Sequence, residues 1–167
     1  MQFRVFFLAF TVIIQFLLEV TIGRIFVAPS LIPLLLVYLS ENYGKIWAVD
    51  GAFWSGIVLD LLLHQPPGSS SLALLTGLFA AKIFSRLSSG EGRSYLLSMM
   101  AISVLVSDTV FILVASKPIG SGFSPVLLLV VPRAVITVII GALILSITTW
   151  VTEIRSRRVT GRLHVQG

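Results

Sequence analysis

Asp60 and His64 lie four residues apart, so on a helix they share one face, and Ser69, Ser70 and Ser71 follow in the next loop. These are the residue types of an acid-base-nucleophile triad. The spacing is weak evidence, because a serine run after Pro66-Pro67-Gly68 is also what a turn and a helix N-cap contain. No strained nucleophile elbow surrounds the serines, and no phosphate-cradling loop ending in Gly-Lys-Ser or Gly-Lys-Thr occurs, so neither ester nor nucleotide hydrolysis is expected. The chain has no cysteine and only two histidines, His64 and His164, which removes thiolate nucleophiles, disulfides and any cluster able to hold a transition metal. The expectation is a protein with no enzymatic activity, no cofactor and no metal.

A second group of residues carries charge where charge is costly. Glu19, Asp60, Asp108 and Arg133 stand inside long apolar runs, and such residues mark a packed or wet interior when the surroundings are hydrocarbon. One arginine cannot balance three acids. Unless Arg24, Lys117 or water reaches them, one carboxyl must carry a proton. Arg133 is expected to pair with Asp60 or Asp108, since its fork of donors can meet a carboxylate with two hydrogen bonds. Two readings stay open for the group: a network that orients helices, and a polar cavity that holds a ligand or a proton.

The elements that must position these residues follow from composition. The chain of 167 residues is 56% hydrophobic and 11% charged, against about 45 to 50% and about 25% in soluble domains. Apolar runs long enough to cross a hydrocarbon core of about 30 Å recur along it. A six-span, all-α polytopic domain is expected over residues 1–152, with helices near 5–22, 27–41, 46–63, 70–87, 94–116 and 125–150. Residues 153–167 form a basic tail. The first run carries Gln15 and Glu19 and lacks a small-x-small cleavage site, so it reads as a retained span rather than a signal peptide. Its Phe3, Phe6, Phe7 and Phe10 keep helical spacing and are expected to face lipid. Pro29 and Pro33 suit a helix start, which makes the second span short, about 18 Å from Pro29 to Ser40.

Charge sets the orientation. With a cytoplasmic N-terminus, the inner side of six spans collects nine basic residues (Arg4, Lys45, Lys82, Arg86, Arg93, Arg155, Arg157, Arg158 and Arg162), and the outer side two, Arg24 and Lys117. Both termini are therefore placed in the cytoplasm. The net charge of +5 is accounted for by these topology signals, and no nucleic-acid partner is expected. On this topology Glu19, Asp60 and Asp108 each lie about 14 residues, or about 21 Å, from the inner boundary. Arg133 enters the same outer-half layer from the other side. Asp50, nearer the inner boundary, is expected to pair with Lys45.

Close helix packing has its own signature. Ala73, Gly77 and Ala81 repeat at four-residue spacing, and Gly51, Ser55 and Gly56 offer a second small-residue face. Such faces let two backbones approach in lipid, as contacts within the chain or as the seat of a partner's transmembrane helix.

Residues 33–87 resemble the MreD family of bacterial inner-membrane proteins. The resemblance rests on Pro33 followed by Leu34-Leu35-Leu36-Val37-Tyr38-Leu39, then Gly44, then Gly51 and Gly56 leading into Ile57-Val58-Leu59-Asp60, then Pro67-Gly68 and the Leu72-Ala73-Leu74 helix. Leu34 stands where the family often has Asp or Asn, and Gly56-Ile57-Val58-Leu59-Asp60 replaces the usual Gly-Leu-Leu-Leu-Asp. The resemblance implies a scaffold of the rod-shape elongation complex that binds the single-span protein MreC. It implies MreB filaments, RodA and a penicillin-binding transpeptidase in the same assembly, and leaves a homodimer open. It also implies a fold similar to the substrate-binding subunits of energy-coupling-factor transporters. The alternative function is therefore a vitamin-type binding subunit, with Trp47 and Trp54 as available aromatics.

Overall fold

The computed structural model describes residues 2–21, 28–42, 44–88, 92–115, 130–144 and 146. Among them the secondary structure is entirely helical: α1 (Gln2–Thr21), α2 (Leu31–Asn42), α3 (Lys45–Leu63), α4 (Ser69–Leu87), α5 (Arg93–Ala115) and α6 (Val130–Ile144). Three stretches, Lys45–Leu63, Ser69–Leu87 and Ser94–Val114, are long and apolar enough to cross a membrane. Leu8–Thr21, Leu31–Asn42 and Val130–Ile144 are shorter apolar helices. The expected beginning of the sixth helix at Pro125, both outer basic residues and the basic tail lie outside the described residues.

The distribution of side chains is inverted relative to a soluble protein. Large apolar groups point outward, among them Phe6, Ile46, Trp54, Leu61, Phe79 and Leu87, while Gln15, Asp60, Asp108, Thr137 and eight serines are buried. Lipid accounts for this surface, because an exposed apolar face costs nothing in hydrocarbon and an exposed polar one does. Phe6 and Phe10 stack on each other and stay exposed, as their spacing predicts; the side chains of Phe3 and Phe7 lie outside the described set.

α2 is the centre of the bundle. Ile32 and Leu36 pack with Val12, Ala48, Ala52, Leu59, Leu74 and Leu78 in one core. Leu34 and Val37 pack with Ala81, Met99, Met100, Val104 and Ala134 in another. α4 makes its most extensive contact with α5 and its next with α3. α2 begins at Leu31, four residues later than expected, and Ala28, Pro29 and Ser30 run buried without helical structure. Pro33 occupies the first turn, where its missing N–H removes no intrahelical bond. Twelve residues rise only about 18 Å, short of a hydrocarbon core of about 30 Å.

Both small-residue faces are consumed inside the chain. A Cβ built on Gly77 would collide with Ser107 and with the carbonyl of Ser103 on α5, and one built on Gly56 would collide with the backbone of Ser71 on α4. Ala73 and Ala81 are buried on the same side of α4 as Gly77. Gly51 faces Leu8 and Leu36. Of the two readings of Ala73, Gly77 and Ala81, the structure takes contact within the chain and not a partner's seat: α5 packs on that face at Gly77, because three small residues one turn apart let its backbone come close.

Candidate functional site

The first buried carboxylate is built by a hairpin. α3 ends at His64, whose φ of 54° turns the chain into the left-handed region, and the N–H groups of His64 and Gln65 both donate to the carbonyl of Asp60. Gly68, with φ 90°, restarts the chain as the N-cap of α4. This return brings the unpaired N–H groups of α4's first turn back to the last turn of α3. Asp60 accepts from Gly68 N–H at 2.7 Å, from Ser70 N–H at 3.0 Å and from the Ser69 hydroxyl at 3.1 Å. A carboxylate at a helix N-terminus satisfies orphan donors and faces the positive end of the helix dipole, so Asp60 needs no cation.

The expected layer of four charges therefore splits. Among the described residues no ion pair joins Asp60 to Arg133. The arginine instead donates from Nη2 to Glu19 Oε1 at 2.6 Å and holds its Nε 3.6 Å from Asp108 Oδ2. Of the two partners expected for Arg133, the structure takes Asp108 and replaces Asp60 with Glu19. The physical reason is local. Asp60 is eight residues from a set of helix N–H groups with no intrahelical partner, whereas Asp108 sits in the interior of α5 and Glu19 in the last turn of α1, where backbone N–H groups are already used within the helix.

Neutral residues that the sequence reading passed over complete this second site. The Ser30 hydroxyl donates to Asp108 at 3.1 Å, and its N–H donates to Thr137 Oγ1 at 3.0 Å. Leu31 N–H donates to Gln15 Oε1 at 2.8 Å, and Gln15 in turn donates to Glu19 at 3.1 Å. Side chains of α6 and α1 thus satisfy the N–H groups of Ser30 and Leu31, two of the donors that the start of α2 leaves without an intrahelical partner. The signals were available: Gln15 and Glu19, and Arg133 and Thr137, are i, i+4 pairs on single helix faces. Ser30 directly precedes an apolar run, as an N-cap does.

A cavity of about 50 Å³ opens at this cluster, with Glu19, Asp108 and Arg133 on one side and the apolar Leu59, Leu74 and Phe111 among the residues that line the rest. A larger cavity of about 490 Å³ lies between α1 and α3. It is almost wholly apolar, with Leu8, Val12, Ile13, Trp47, Trp54 and Val58 on its walls and Gly51 and Ser55 on its floor.

The triad residues do not assemble. Ser69 donates straight to Asp60, and His64 is exposed at the hairpin tip with no side-chain hydrogen bond to either among the described residues. The expected Lys45–Asp50 pair is also absent among them, since five residues apart places two side chains about 140° around a helix. At that end of the bundle an ion pair instead joins Lys82 of α4 to Glu41 of α2. No acid or histidine cluster able to hold a metal occurs among the described residues.

Comparison of the chain with protein-family models, with curated proteins and with solved structures gives no match.

Proposed function

We propose that this chain is a non-enzymatic scaffold of the bacterial rod-shape elongation machinery, of the MreD type, that binds the transmembrane helix of MreC and through it MreB, RodA and a penicillin-binding transpeptidase. It sits in the inner membrane as a six-span protein with both termini cytoplasmic, the orientation that leaves nine basic residues inside and two outside. The observation that carries the reading is the apolar cavity between α1 and α3. It is open along the bundle and bordered by exposed Ile13, Trp54 and Val58, an apolar groove into which a partner helix can insert its side chains. With the Gly77 face filled by α5, this is where a partner helix has room.

The competing reading, a vitamin-type binding subunit, is supported less. Small-molecule sites run to about 300–1,000 Å³ with a few convergent polar groups. Here the cavity at Arg133 holds only about 50 Å³, and the larger one has almost no polar lining.

The test is a photoreactive residue at Val58, in the cavity wall, compared with one at Phe79, which faces outward from α4. In native membranes the Val58 probe is expected to yield an adduct with the MreC transmembrane segment and the Phe79 probe none. Equal adducts at both positions, or none at Val58 while MreC is present, would overturn the assignment.

A further inference from the structure

Resting on the proposal that the groove between α1 and α3 seats a transmembrane helix, we infer that the groove selects that helix by charge, with Asp50 taking a lysine or arginine that flanks the partner's apolar segment. Asp50 is the one charged residue among the described residues that line the groove. It stands in the second turn of α3 and is exposed, so the groove has a charged end at Trp47 and Asp50 and an uncharged one at Val58 and Leu62. Among the described residues Asp50 makes no ion pair. Lys45 points about 140° away around the same helix, and Lys82 is taken by Glu41.

A helix that covers the groove strips water from this carboxylate, which is costly at the edge of an apolar layer unless a counter-charge arrives with it. An acid on the partner adds repulsion, and an apolar side chain leaves the charge uncompensated. A lysine or arginine supplies the counter-charge, and its long apolar stem can lie along the groove wall while its head reaches Asp50. Like-charge rejection at such a contact gives specificity more than raw affinity. From Trp47 to Leu62 the α3 wall runs about 22 Å, most of a hydrocarbon core of about 30 Å. The partner is therefore a single helix, apolar over that length, with its basic flank at the Asp50 end. Lys45 and the Lys82–Glu41 pair stand at the same end, the side on which basic flanks of membrane helices collect in the proposed topology.

The test reconstitutes the full chain, with the photoreactive residue at Val58, in neutral phosphatidylcholine nanodiscs together with the MreC transmembrane segment. The segment is made with lysines at both ends or with glutamates at both ends, so that either direction of insertion presents the same charge. The lysine form is expected to give at least about threefold more adduct, the size of a partly exposed ion pair. The chain's net charge of +5 would by itself favour the glutamate form, so this preference locates the effect at the groove. Asp50→Asn is expected to abolish the preference and Asp50→Lys to reverse it. A preference for lysine that survives in Asp50→Lys overturns the charge selection. Equal adducts from the two forms in the unaltered chain overturn it too and leave the helix seat standing, whereas adducts from neither form overturn both.

Discussion

Asp60 and Asp108 look alike in the sequence, each an acid about 14 residues into an apolar helix, and the protein buries them in opposite ways. Asp60 is held by the backbone of the next helix, eight to ten residues away. Asp108 is held by Ser30 and Arg133, 78 and 25 positions away. The first acid uses neutral donors at a helix terminus, so its site needs only the α3–α4 hairpin. The second uses a cation from α6 and a hydroxyl from the stretch before α2, so its site exists only when the bundle has closed. One carboxylate thus organises a local connection, and the other reports on the assembled fold.

The largest effect that separates the two sites is expected from Arg133→Leu. It leaves the buried Asp108 and the half-buried Glu19 without a cation, and the cost, up to the about 3–5 kcal/mol of a fully buried pair, should appear as a low thermal midpoint in detergent and poor accumulation in membranes. Asp60 should be indifferent to it. The combined Glu19→Gln, Asp108→Asn and Arg133→Met chain should recover most of that loss, since removing every charge together avoids an uncompensated one. A triple variant no more stable than Arg133→Leu would mean that the residues act through shape rather than charge.

A steric change ranks next. Gly77→Leu should destabilise the bundle by about 1–3 kcal/mol or more through overpacking against Ser103 and Ser107, read as a lowered thermal midpoint before any partner is added. An unchanged midpoint would remove the close α4–α5 approach from the account.

Asp60→Ala should cost about 1–3 kcal/mol, the penalty of leaving buried donors unpaired. The damage should stay local, with proteolytic sensitivity rising at His64–Gly68 while the Arg133 cluster stays protected from exchange. Simultaneous loss of protection at both sites would erase the distinction between them. The smallest effect belongs to the Lys82–Glu41 pair, which has no buried carboxylate like Asp108 beside it; Glu41→Gln should shift stability by no more than about 1 kcal/mol. A larger shift would place that pair on a level with the buried ones.

Much of the fold was legible because lipid imposes a one-dimensional constraint. Apolar runs bounded by Gly44-Lys45, by His64 to Gly68 and by Ser88 to Arg93 could be read as separate helices from composition and turn chemistry alone, and the observed α3, α4 and α5 start or stop within one residue of that reading. The start of α2 was not legible to the same degree. Pro29 marked it, but the partners of Ser30 and Leu31 that end the non-helical stretch are side chains of α1, α5 and α6, distant in sequence. Glu19, Asp60, Asp108 and Arg133 could be named from the sequence because each interrupts an apolar run. Their pairing could not, since depth along a span orders residues along one axis and says nothing about which helices stand next to one another.

What the sequence by itself determined is therefore the inventory: how many apolar segments, which residues are too polar to face lipid, and where the chain must turn. Tertiary structure alone decided the assignments. Asp60 went to a helix N-terminus because the Pro66-Pro67-Gly68 return brought free N–H groups within 3 Å of it, and Arg133 was left to Glu19 and Asp108. Gly77 went to α5 rather than to a partner because the closest backbone approach was already available within the chain. Hydrogen bonds and close packing act over a few ångströms, whereas hydropathy acts on whole segments, so local sequence reveals the segments and only their packing reveals which polar groups meet.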